Sequence, residues 1–391
     1  MNNHHKPLSN LLTLSFLFYP FVVCASNFTH PGALNTLSDY QFMALQVKNN
    51  EQPWSNDFKL LRSNKHDSTD YKPNPVPVIY RGTAFGHHKE NYSRLFNDAA
   101  AAYALALDWR ISGDKKRAER AVDILTSWSD MLHSIDGTSD KYLASGIYGY
   151  QLAVAGETLK GFSGFPPSKQ EKLKKMLVSI FAQMNDEFLR YHNGKKMDHY
   201  WANWDLANTA SLMAIGIFSD RRDLYDEAHD YYLHGGGNGT IQHAAWKTYP
   251  DSLVQWQESG RDQSHTLLGI GLAGIISQLA WNQGDDLFSS YDNRLLGAAR
   301  YVARYNSGES VPFTPYINSD VKQYSISDKG RAQKRPVWAL IYAHYLQKMH
   351  LKAPEITEIM KNNGVEGGGG DYGPNSGGYD QLGYGTLTFI R

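Results

Sequence analysis

Helical segments that come in pairs are the feature that most constrains how this 391-residue chain can fold. In several pairs the first segment is apolar nearly all round and the second carries more charge, which predicts a buried inner helix and a solvent-facing outer one. The predicted pairs are 95–111 with 118–132, 141–162 with 167–191, 201–218 with 221–233, 265–281 with 288–305, and 335–349 with 354–361. The sequence therefore predicts an all-α fold built from repeated helical hairpins.

Strand signals are scarce, and two long polar stretches interrupt the helices. Short extended pieces are predicted at 75–80 and 386–390, and the polar stretches are 235–264 and 308–334. Loops this long in a compact fold usually carry function. The Gly-rich stretch 364–385 also contains Asp, Asn and Tyr residues, so we expect an ordered loop there rather than a linker.

The first 25 residues have the features of a signal peptide. Lys6 is the only formal charge before the apolar stretch 11–25, and residues 23–25 offer small side chains for cleavage before Ser26. We therefore expect an exported protein, periplasmic or secreted, with no integral membrane segment after cleavage, a single domain at 26–391 and a monomeric state. Cys24 is the only cysteine, so the mature chain would have no disulfide and no cysteine-based metal site.

Composition narrows the possible partners. Lys+Arg and Asp+Glu are balanced at 39 each, which argues against a nucleic-acid binder because such proteins are usually basic. An anionic ligand would then be met by local Arg and His side chains. The histidines lack the spacing of a zinc motif, and the chain has no phosphate-binding loop and no nucleophilic-serine elbow, so no metal or cofactor is expected.

The richest candidate for chemistry is the polar run from Gln257 to Thr266, which directly precedes an apolar helix. Desolvating so many polar groups is costly, and folded chains usually accept that cost where they bind or react. If the helical pairs form a toroid, the starts of the inner helices share one rim. That rim would carry residues 200–204, the group 261–265 and Arg335, with Tyr305 and Tyr316 nearby.

Three chemistries fit such a rim. β-Elimination on a uronic acid polymer needs a carboxylate neutraliser, a base and an acid, and Asn203, Arg261, His265 and a tyrosine suit these roles. Hydrolysis would use two carboxylates, for which Asp205, Glu258 and Asp262 are available. A carbohydrate-binding protein without catalysis would use Trp201, Trp204 and Trp256 as platforms.

Several motifs resemble proteins of the alginate lyase domain superfamily, and the likeness extends from about residue 92 onward. The motifs are NWDLA at 203–207, RRDLYDEA at 221–228, QESGRDQ at 257–263 with His265, DNRLL at 292–296, VPF at 311–313 and YGPNSGG at 372–378. The resemblance is to α/α-toroid polysaccharide lyases, more to the family 38 type than to the family 5 type. It implies an (α/α) toroid or incomplete barrel of about six or seven hairpins.

The resemblance also implies a lyase that cuts (1→4)-linked uronic acid polymers, either mannuronate-rich alginate or glucuronan. Where better-known alginate lyases carry an Asn-His pair, this chain has Asn203-Trp204. That replacement shifts the role of the base to His265 or to His243, with a tyrosine as the acid. The expected catalytic residues are Asn203, Arg261, His265, His243 and Tyr316. The expected substrate-binding residues are Tyr148, Trp204, Gln257, Tyr301, Tyr305 and Arg335.

Overall fold

A computed structural model describes Met1 and residues 28–82, 88–369 and 380–391. Apart from Met1, the predicted signal peptide lies outside these ranges, as do the YGPNSGG motif and the middle of the Gly-rich stretch. In the ranges that are described, no helix is both long enough and apolar enough to cross a membrane.

Five helical pairs dominate the described chain, and each coincides with a predicted pair. They are α3 (Ser93–Ser112) with α4 (Lys115–Met131), α5 (Asp140–Thr158) with α6 (Pro167–Met176) and α7 (Gln183–Tyr191), α8 (Ala202–Ser219) with α9 (Arg222–His234), α11 (Gln263–Asn282) with α12 (Ser290–Asn306), and α13 (Trp338–Ile341) with α14 (Pro354–Asn363). A π-helical segment, Leu177–Ala182, joins α6 to α7, and a second one, Tyr342–Lys348, extends α13.

The remaining elements are short or lie near the two ends of the chain. Two helices precede the pairs, α1 (Leu37–Lys48) and α2 (Trp54–Ser63), and they add a sixth hairpin. A short helix, α10 (Ile241–Ala244), lies in the first polar stretch, and α15 (Gly385–Phe389) lies near the end of the chain. Single 3-10 turns occur at Lys65–Asp67, His192–Gly194 and Pro250–Ser252. The prediction of an all-α toroid is confirmed.

The inner helices are α5, α8 and α11, whose side chains are buried almost without exception. Two glycines let α5 and α8 approach closely. A Cβ at Gly146 would lie 2.7 Å from the Ala207 carbonyl carbon, and one at Gly149 would lie 2.1 Å from the Ser211 hydroxyl. The outer helices α4, α9 and α12 bury one face only, as the contrast within each pair predicted.

Three small two-stranded sheets hold loops in place. Strand β1 (Val78–Arg81) pairs in parallel with β2 (Ser134–Gly137). Strand β3 (Ala245–Thr248) pairs antiparallel with β4 (Val254–Trp256), and β5 (Tyr316–Ile317) pairs antiparallel with β6 (Lys322–Gln323). The strand predicted at 75–80 is therefore present in part, shifted toward Arg81.

The prediction of a strand at 386–390 is wrong, because residues 385–389 form the helix α15. Its first turn is fixed by buried groups from elsewhere in the chain. The Asp57 carboxylate accepts a hydrogen bond from the backbone N–H of Leu387 at 2.7 Å, and the Thr386 hydroxyl accepts one from the N–H of Glu366 at 3.0 Å. Alternating Thr and Leu suggested a strand, and these tertiary contacts override that local preference.

The segment around α15 joins the beginning of the described chain in a seam. Asn35 donates to the carbonyl of Thr388 at 2.9 Å, the Trp54 indole donates to the carbonyl of Ile390 at 3.0 Å, and Arg391 pairs with Asp39 at 2.8 Å. These contacts connect α1 and α2 to residues more than 330 positions later.

Candidate active site

The starts of two neighbouring inner helices bring the predicted site residues together. Asn203 lies in the first turn of α8, and the loop from Gln257 to Asp262 leads from β4 into α11. Asp262 caps α11, because its carboxylate accepts from the backbone N–H of His265 at 2.8 Å. Gln257 joins the two helix starts, since its side-chain oxygen accepts from the N–H of Ala202 at 3.1 Å.

Glu258 is the centre of this cluster and is completely buried. Its carboxylate accepts from the Asn203 side-chain amide at 2.5 Å, from the Asn203 backbone N–H at 3.2 Å and from the Arg261 guanidinium at 2.9 Å. Burial raises the pKa of Glu258, and the charge of Arg261 opposes that rise. The carboxylate therefore fixes the orientation of the Asn203 amide and anchors Arg261.

The Asn203 side chain keeps one acceptor oxygen and one of its two amide N–H groups for a ligand. Because a carboxylate only accepts hydrogen bonds, Glu258 must face the NH₂ group of Asn203. The Asn203 Oδ1 atom is buried and has no hydrogen-bond partner among the residues described. A buried polar atom left unpaired costs free energy, so this atom marks a place where a substrate group would be stabilised.

His265 is held between a carboxylate and a guanidinium. Its Nδ1 lies 2.7 Å from an Asp262 oxygen, and its Nε2 lies 3.1 Å from a guanidinium nitrogen of Arg261. This arrangement assigns the proton to Nδ1 and makes Nε2 the acceptor. Burial raises the pKa of Asp262, but the hydrogen bonds with His265 and the charge of Arg261 outweigh it and bring the pKa to about 2. The Nε2 lone pair of His265 is thus already occupied by Arg261.

Arg261 links the cluster to the partly exposed rim. Its guanidinium lies 4.7 Å from the ring centroid of Trp201, the residue before α8, in a cation–π contact. The Arg261 side chain is 23% exposed and that of His265 is 38% exposed. Both side chains can therefore meet a ligand from solvent, whereas Glu258 cannot.

Tyr316 on β5 approaches the same cluster from the second polar stretch. Its hydroxyl donates to Asn238 at 3.0 Å and accepts from Asn318 at 3.4 Å. Burial raises the pKa of Tyr316, hydrogen bonds from Asn318 and Gln257 lower it, and the nearby charge of Glu258 raises it further. The phenol is therefore protonated at rest, in the form that donates a proton.

Tyr148, Arg81, Arg335 and Asp380 form a second group of interacting side chains, which we call the second wall. The Arg81 guanidinium lies 3.5 Å from the Tyr148 hydroxyl and packs over the Tyr92 ring at 4.8 Å. Arg335 pairs with Asp380 at 3.3 Å. Burial raises the pKa of Asp380, while the charges of Arg335, Arg81 and His265 lower it, so this wall lies within electrostatic reach of His265.

Beside the second wall, the structure has a cavity of about 750 Å³. Lys65, Lys334, Arg335 and Glu366 are among the residues that line it. Arg335 connects this cavity to the second wall, and the three cationic side chains of the described lining outnumber the single carboxylate of Glu366, which suits an acidic ligand.

The other predicted site residues lie in different surroundings. Trp204 is buried against Tyr200 and Phe188, with ring centroids 4.7 and 5.9 Å apart. Tyr301 is buried and donates to the carbonyl of Pro312 at 2.8 Å. These two side chains contribute to packing rather than to the exposed rim.

Tyr305 and His243 lie away from Glu258 as well. The Tyr305 ring is covered by Arg331 at 4.0 Å. His243 is exposed on α10, with its Nδ1 bonded to the carbonyl of Gly237 at 2.9 Å. Its loop also contains Asn238, so His243 is near the Tyr316 side of the cluster without contacting it.

Sequence reasoning missed Asn238, Arg81 and Asp380. The one asparagine of the Gly-rich run 235–239 accepts from the Tyr316 hydroxyl and donates to the carbonyls of Asp198 and Tyr200 at 2.9 and 2.6 Å. Arg81 directly follows the predicted strand at 75–80, which was its only local signal. Asp380 has no pattern around it that marks a site.

The cluster contains the groups that β-elimination needs, and the described chain has no group of three or more His, Cys, Asp or Glu side chains placed to hold a metal ion. Fold and site together define the protein as a polysaccharide lyase with an α/α toroid. The chain belongs to the alginate lyase family, because the model of that family matches residues 43–313. No curated protein matches the chain.

Solved structures with this fold include alginate lyases. Alginate lyase A1-III from Sphingomonas species A1 is 16% identical, with a TM-score of 0.60, 96% of this chain covered and 99% of that chain. A variant of alginate lyase A1-III complexed with a tetrasaccharide has a TM-score of 0.61 at 15% identity, covering 95% and 99%. An alginate lyase from Bacteroides ovatus is 14% identical, with a TM-score of 0.53, and the match covers 71% of this chain and 84% of that one.

Proposed function

We propose that this protein is an exported lyase that cleaves (1→4)-linked uronic acid polymers by β-elimination, with mannuronate-rich alginate or glucuronan as substrate. The observation that carries the proposal is the hydrogen-bonded cluster of Asn203, Glu258, Arg261 and His265, with the Tyr316 hydroxyl at its edge. Membership of the alginate lyase family and the tetrasaccharide complex of a structural relative support it.

The first requirement of the reaction is to acidify the C5 proton, which lies α to the uronate carboxylate. Arg261 and the second N–H of the Asn203 amide would bind that carboxylate and stabilise the enolate that develops as the proton leaves. Glu258 acts through both, because it holds the amide and the guanidinium in place. Charge stabilisation by fixed donors of this kind is commonly the largest part of catalysis.

The second requirement is a proton donor and acceptor near C4 and C5. Tyr316 is the preferred residue, because its hydroxyl is hydrogen-bonded, neutral and close to Gln257. His265 would act as a base only after Arg261 moves from its Nε2 to the substrate carboxylate. Substrate binding would thereby free the imidazole at the moment it is needed.

The structure gives less support to hydrolysis by two carboxylates. Glu258 is fully buried and held by three donors, and the pKa of Asp262 is about 2, so Asp262 cannot serve as an acid at neutral pH. A purely binding function has less support as well. Trp204 and Trp256 are buried, which leaves Trp201 as the partly exposed member of the three expected platforms.

The test is to incubate the protein with polymannuronate, polyguluronate and glucuronan and to follow ultraviolet absorbance together with new reducing ends. A lyase leaves a C4–C5 double bond conjugated with the carboxylate, so absorbance and reducing ends should rise together on at least one polymer. Reducing ends without absorbance would show a hydrolase. Retention on an immobilised polyuronate with neither signal would show a binding protein.

A further inference from the structure

A second cavity lies at the other end of the inner helices. Its volume is about 460 Å³, within the range of about 300–1,000 Å³ that is usual for small-molecule sites. Its lining includes Asn35, Asp39, Trp281, His344, Lys348 and Arg391. Trp281 lies near the end of α11, whose first turn holds His265. At about 1.5 Å per residue the two are about 25 Å apart along the helix.

Two residues that line this cavity each have a buried polar atom without a protein partner in the described residues, Asn35 Oδ1 and His344 Nε2. Each residue is only 2% exposed. Asn35 donates its amide N–H to the carbonyl of Thr388 at 2.9 Å. This bond fixes the orientation of the Asn35 amide, and its Oδ1 atom stays without a partner in the described residues. Unpaired buried polar atoms are costly, so a ligand whose hydroxyl groups reached these two atoms would be stabilised here.

His344 is neutral in this setting. Burial lowers its pKa to about 4, and the charge of Lys348 lowers it further, while its ring stacks on Phe288 with centroids 3.5 Å apart. A neutral imidazole offers one donor and one acceptor nitrogen, as a sugar hydroxyl does. The floor of the cavity is therefore suited to neutral hydroxyl groups rather than to a charge.

The mouth of the cavity is cationic and aromatic. The Lys348 ammonium lies 4.9 Å from the ring centroid of Trp281, and in the part of the chain that is described Lys348 forms no ion pair. Arg391 also lines the cavity and is paired with Asp39 at 2.8 Å. The Lys348 ammonium thus lies beside an aromatic wall, a combination that recognises an acidic sugar.

We propose that this cavity is a non-catalytic binding site for the end of an oligouronate, with the sugar ring against Trp281, its carboxylate on Lys348 and its hydroxyl groups on Asn35 and His344. The choice of uronate as the acidic sugar rests on the proposed function, whereas the existence of a binding site in this cavity does not rest on it. Bound here, an oligosaccharide would be held on the opposite end of the toroid from the cluster around Glu258.

The experiment measures binding of a saturated mannuronate trimer by isothermal titration calorimetry, using the Asn203→Ala variant so that no turnover intervenes. Changing Lys348 to Ala in that background should remove one bound trimer per chain or weaken that site about tenfold, the loss of one charge-assisted contact. Trp281→Ala should give the same loss. Lys361→Ala, an exposed lysine outside the cavity, is the matched control and should bind as the parent does.

Unchanged stoichiometry and affinity in both Lys348→Ala and Trp281→Ala would overturn the proposal. Equal affinity for the neutral mannotriose would also overturn it, because the Lys348 charge would then have no role. Lyase activity is measured separately by ultraviolet absorbance with Lys348→Ala alone and should match the wild type. Binding that depends on Lys348 without lyase activity on any polyuronate would refute the proposed function and leave this site standing.

Discussion

At the scale of single residues, the proposed reaction depends on one buried carboxylate that the substrate never needs to touch. Glu258 holds the Asn203 amide at 2.5 Å and the Arg261 guanidinium at 2.9 Å, the two donors that would bind the uronate carboxylate in the proposed reaction. The role of Glu258 is to position these two donors. A substitution of Glu258 can therefore test positioning separately from proton transfer.

Glu258→Gln tests that role. The amide retains the shape but replaces one acceptor oxygen by an NH₂ group facing the donors, so Asn203 and Arg261 lose their fixed orientation. We expect kcat to fall by about 10- to 100-fold, corresponding to about 1–3 kcal/mol for an unsatisfied buried contact. Unsaturated product formation is measured by ultraviolet absorbance.

The matched control is Glu309→Gln, which weakens a Glu–Arg pair at 2.9 Å on the surface, where Glu309 is half exposed. That variant should keep full activity because exposed pairs contribute little. Wild-type kcat in Glu258→Gln would contradict the positioning role.

Tyr316→Phe tests the proton-transfer role. Removing the hydroxyl should lower kcat by about 10²- to 10⁴-fold with little change in KM, since general acid–base groups contribute about that much. Tyr301→Phe is the control, because it also removes a buried tyrosine hydroxyl, one that donates to the carbonyl of Pro312. Equal activity losses in the two variants would show that Tyr316 acts through folding alone.

At the scale of elements, the loop at 235–239 is packed onto the start of α8. The Asp205 carboxylate accepts from the N–H of Gly239 at 2.7 Å and from buried His192 at 2.8 Å. A Cβ at Gly239 would lie 2.4 Å from Asp205 Cβ and 2.8 Å from the N–H nitrogen of Leu206. This close approach places Asn238 against Tyr316, so the glycine is a requirement of the site.

Gly239→Ala is therefore expected to push the loop off α8, lowering both the thermal unfolding midpoint and the lyase rate. The rate should fall by about tenfold or more, because misplacing a catalytic group by about 1 Å commonly costs 10²-fold. Gly236→Ala is the neighbouring control. Its Cβ would meet only the flexible end of Met197, at 3.1 Å, so that variant should behave like the wild type. A stable, fully active Gly239→Ala protein would contradict this account.

The elements also show what sequence could and could not predict. Apolar inner and charged outer segments, such as 201–218 and 221–233, were sufficient to predict the helical pairs, because burial imposes a periodic pattern on each helix. The helix α15, which replaces the predicted strand, was not predictable, since it depends on Asp57, which lies 330 residues from Leu387. The grouping of Asn203 with Arg261 and His265 followed from the rim of a toroid, whereas the contact of Asn238 with Tyr316 depends on how two long loops fold.

At the scale of the whole molecule, His30 ties the beginning of the described chain to the far ends of two inner helices. Its Nδ1 lies 2.6 Å from Glu157 on α5, and its Nε2 lies 2.9 Å from Asp220, which ends α8. Burial lowers the pKa of His30, but the hydrogen bond and charge of Glu157, with Asp220, outweigh it, so the pKa is raised above 6.5. Lys160 opposes this rise, and Lys174 pairs with Asp220 at 2.9 Å.

The contacts of His30 with Glu157 and Asp220 predict that part of the stability of the fold depends on pH. Because the folded-state pKa is raised, the protonated imidazolium stabilises the fold fully below about pH 6.5, and the contribution is lost as the pH rises through the folded pKa. The free energy of unfolding of His30→Gln should therefore differ most from wild type in mildly acidic buffer and converge with it at higher pH. Denaturant unfolding across this range measures it.

His133→Gln, at an exposed histidine, is the control and should follow the wild type at every pH. A constant difference between His30→Gln and wild type across the range would mean that His30 contributes by packing alone.

The seam between Asn35, Asp39 and the segment 388–391 has a consequence for the order of events in folding. Its partners are about 350 residues apart, so the ring of helices cannot close until almost all of the described chain has been synthesised. Contacts this distant in sequence form slowly, because a long loop must be ordered before they contribute. During synthesis the parts of α1 and α2 that later meet α15 therefore stay uncovered, and a chaperone that shields them should raise the yield of folded protein more than one that acts on the later hairpins.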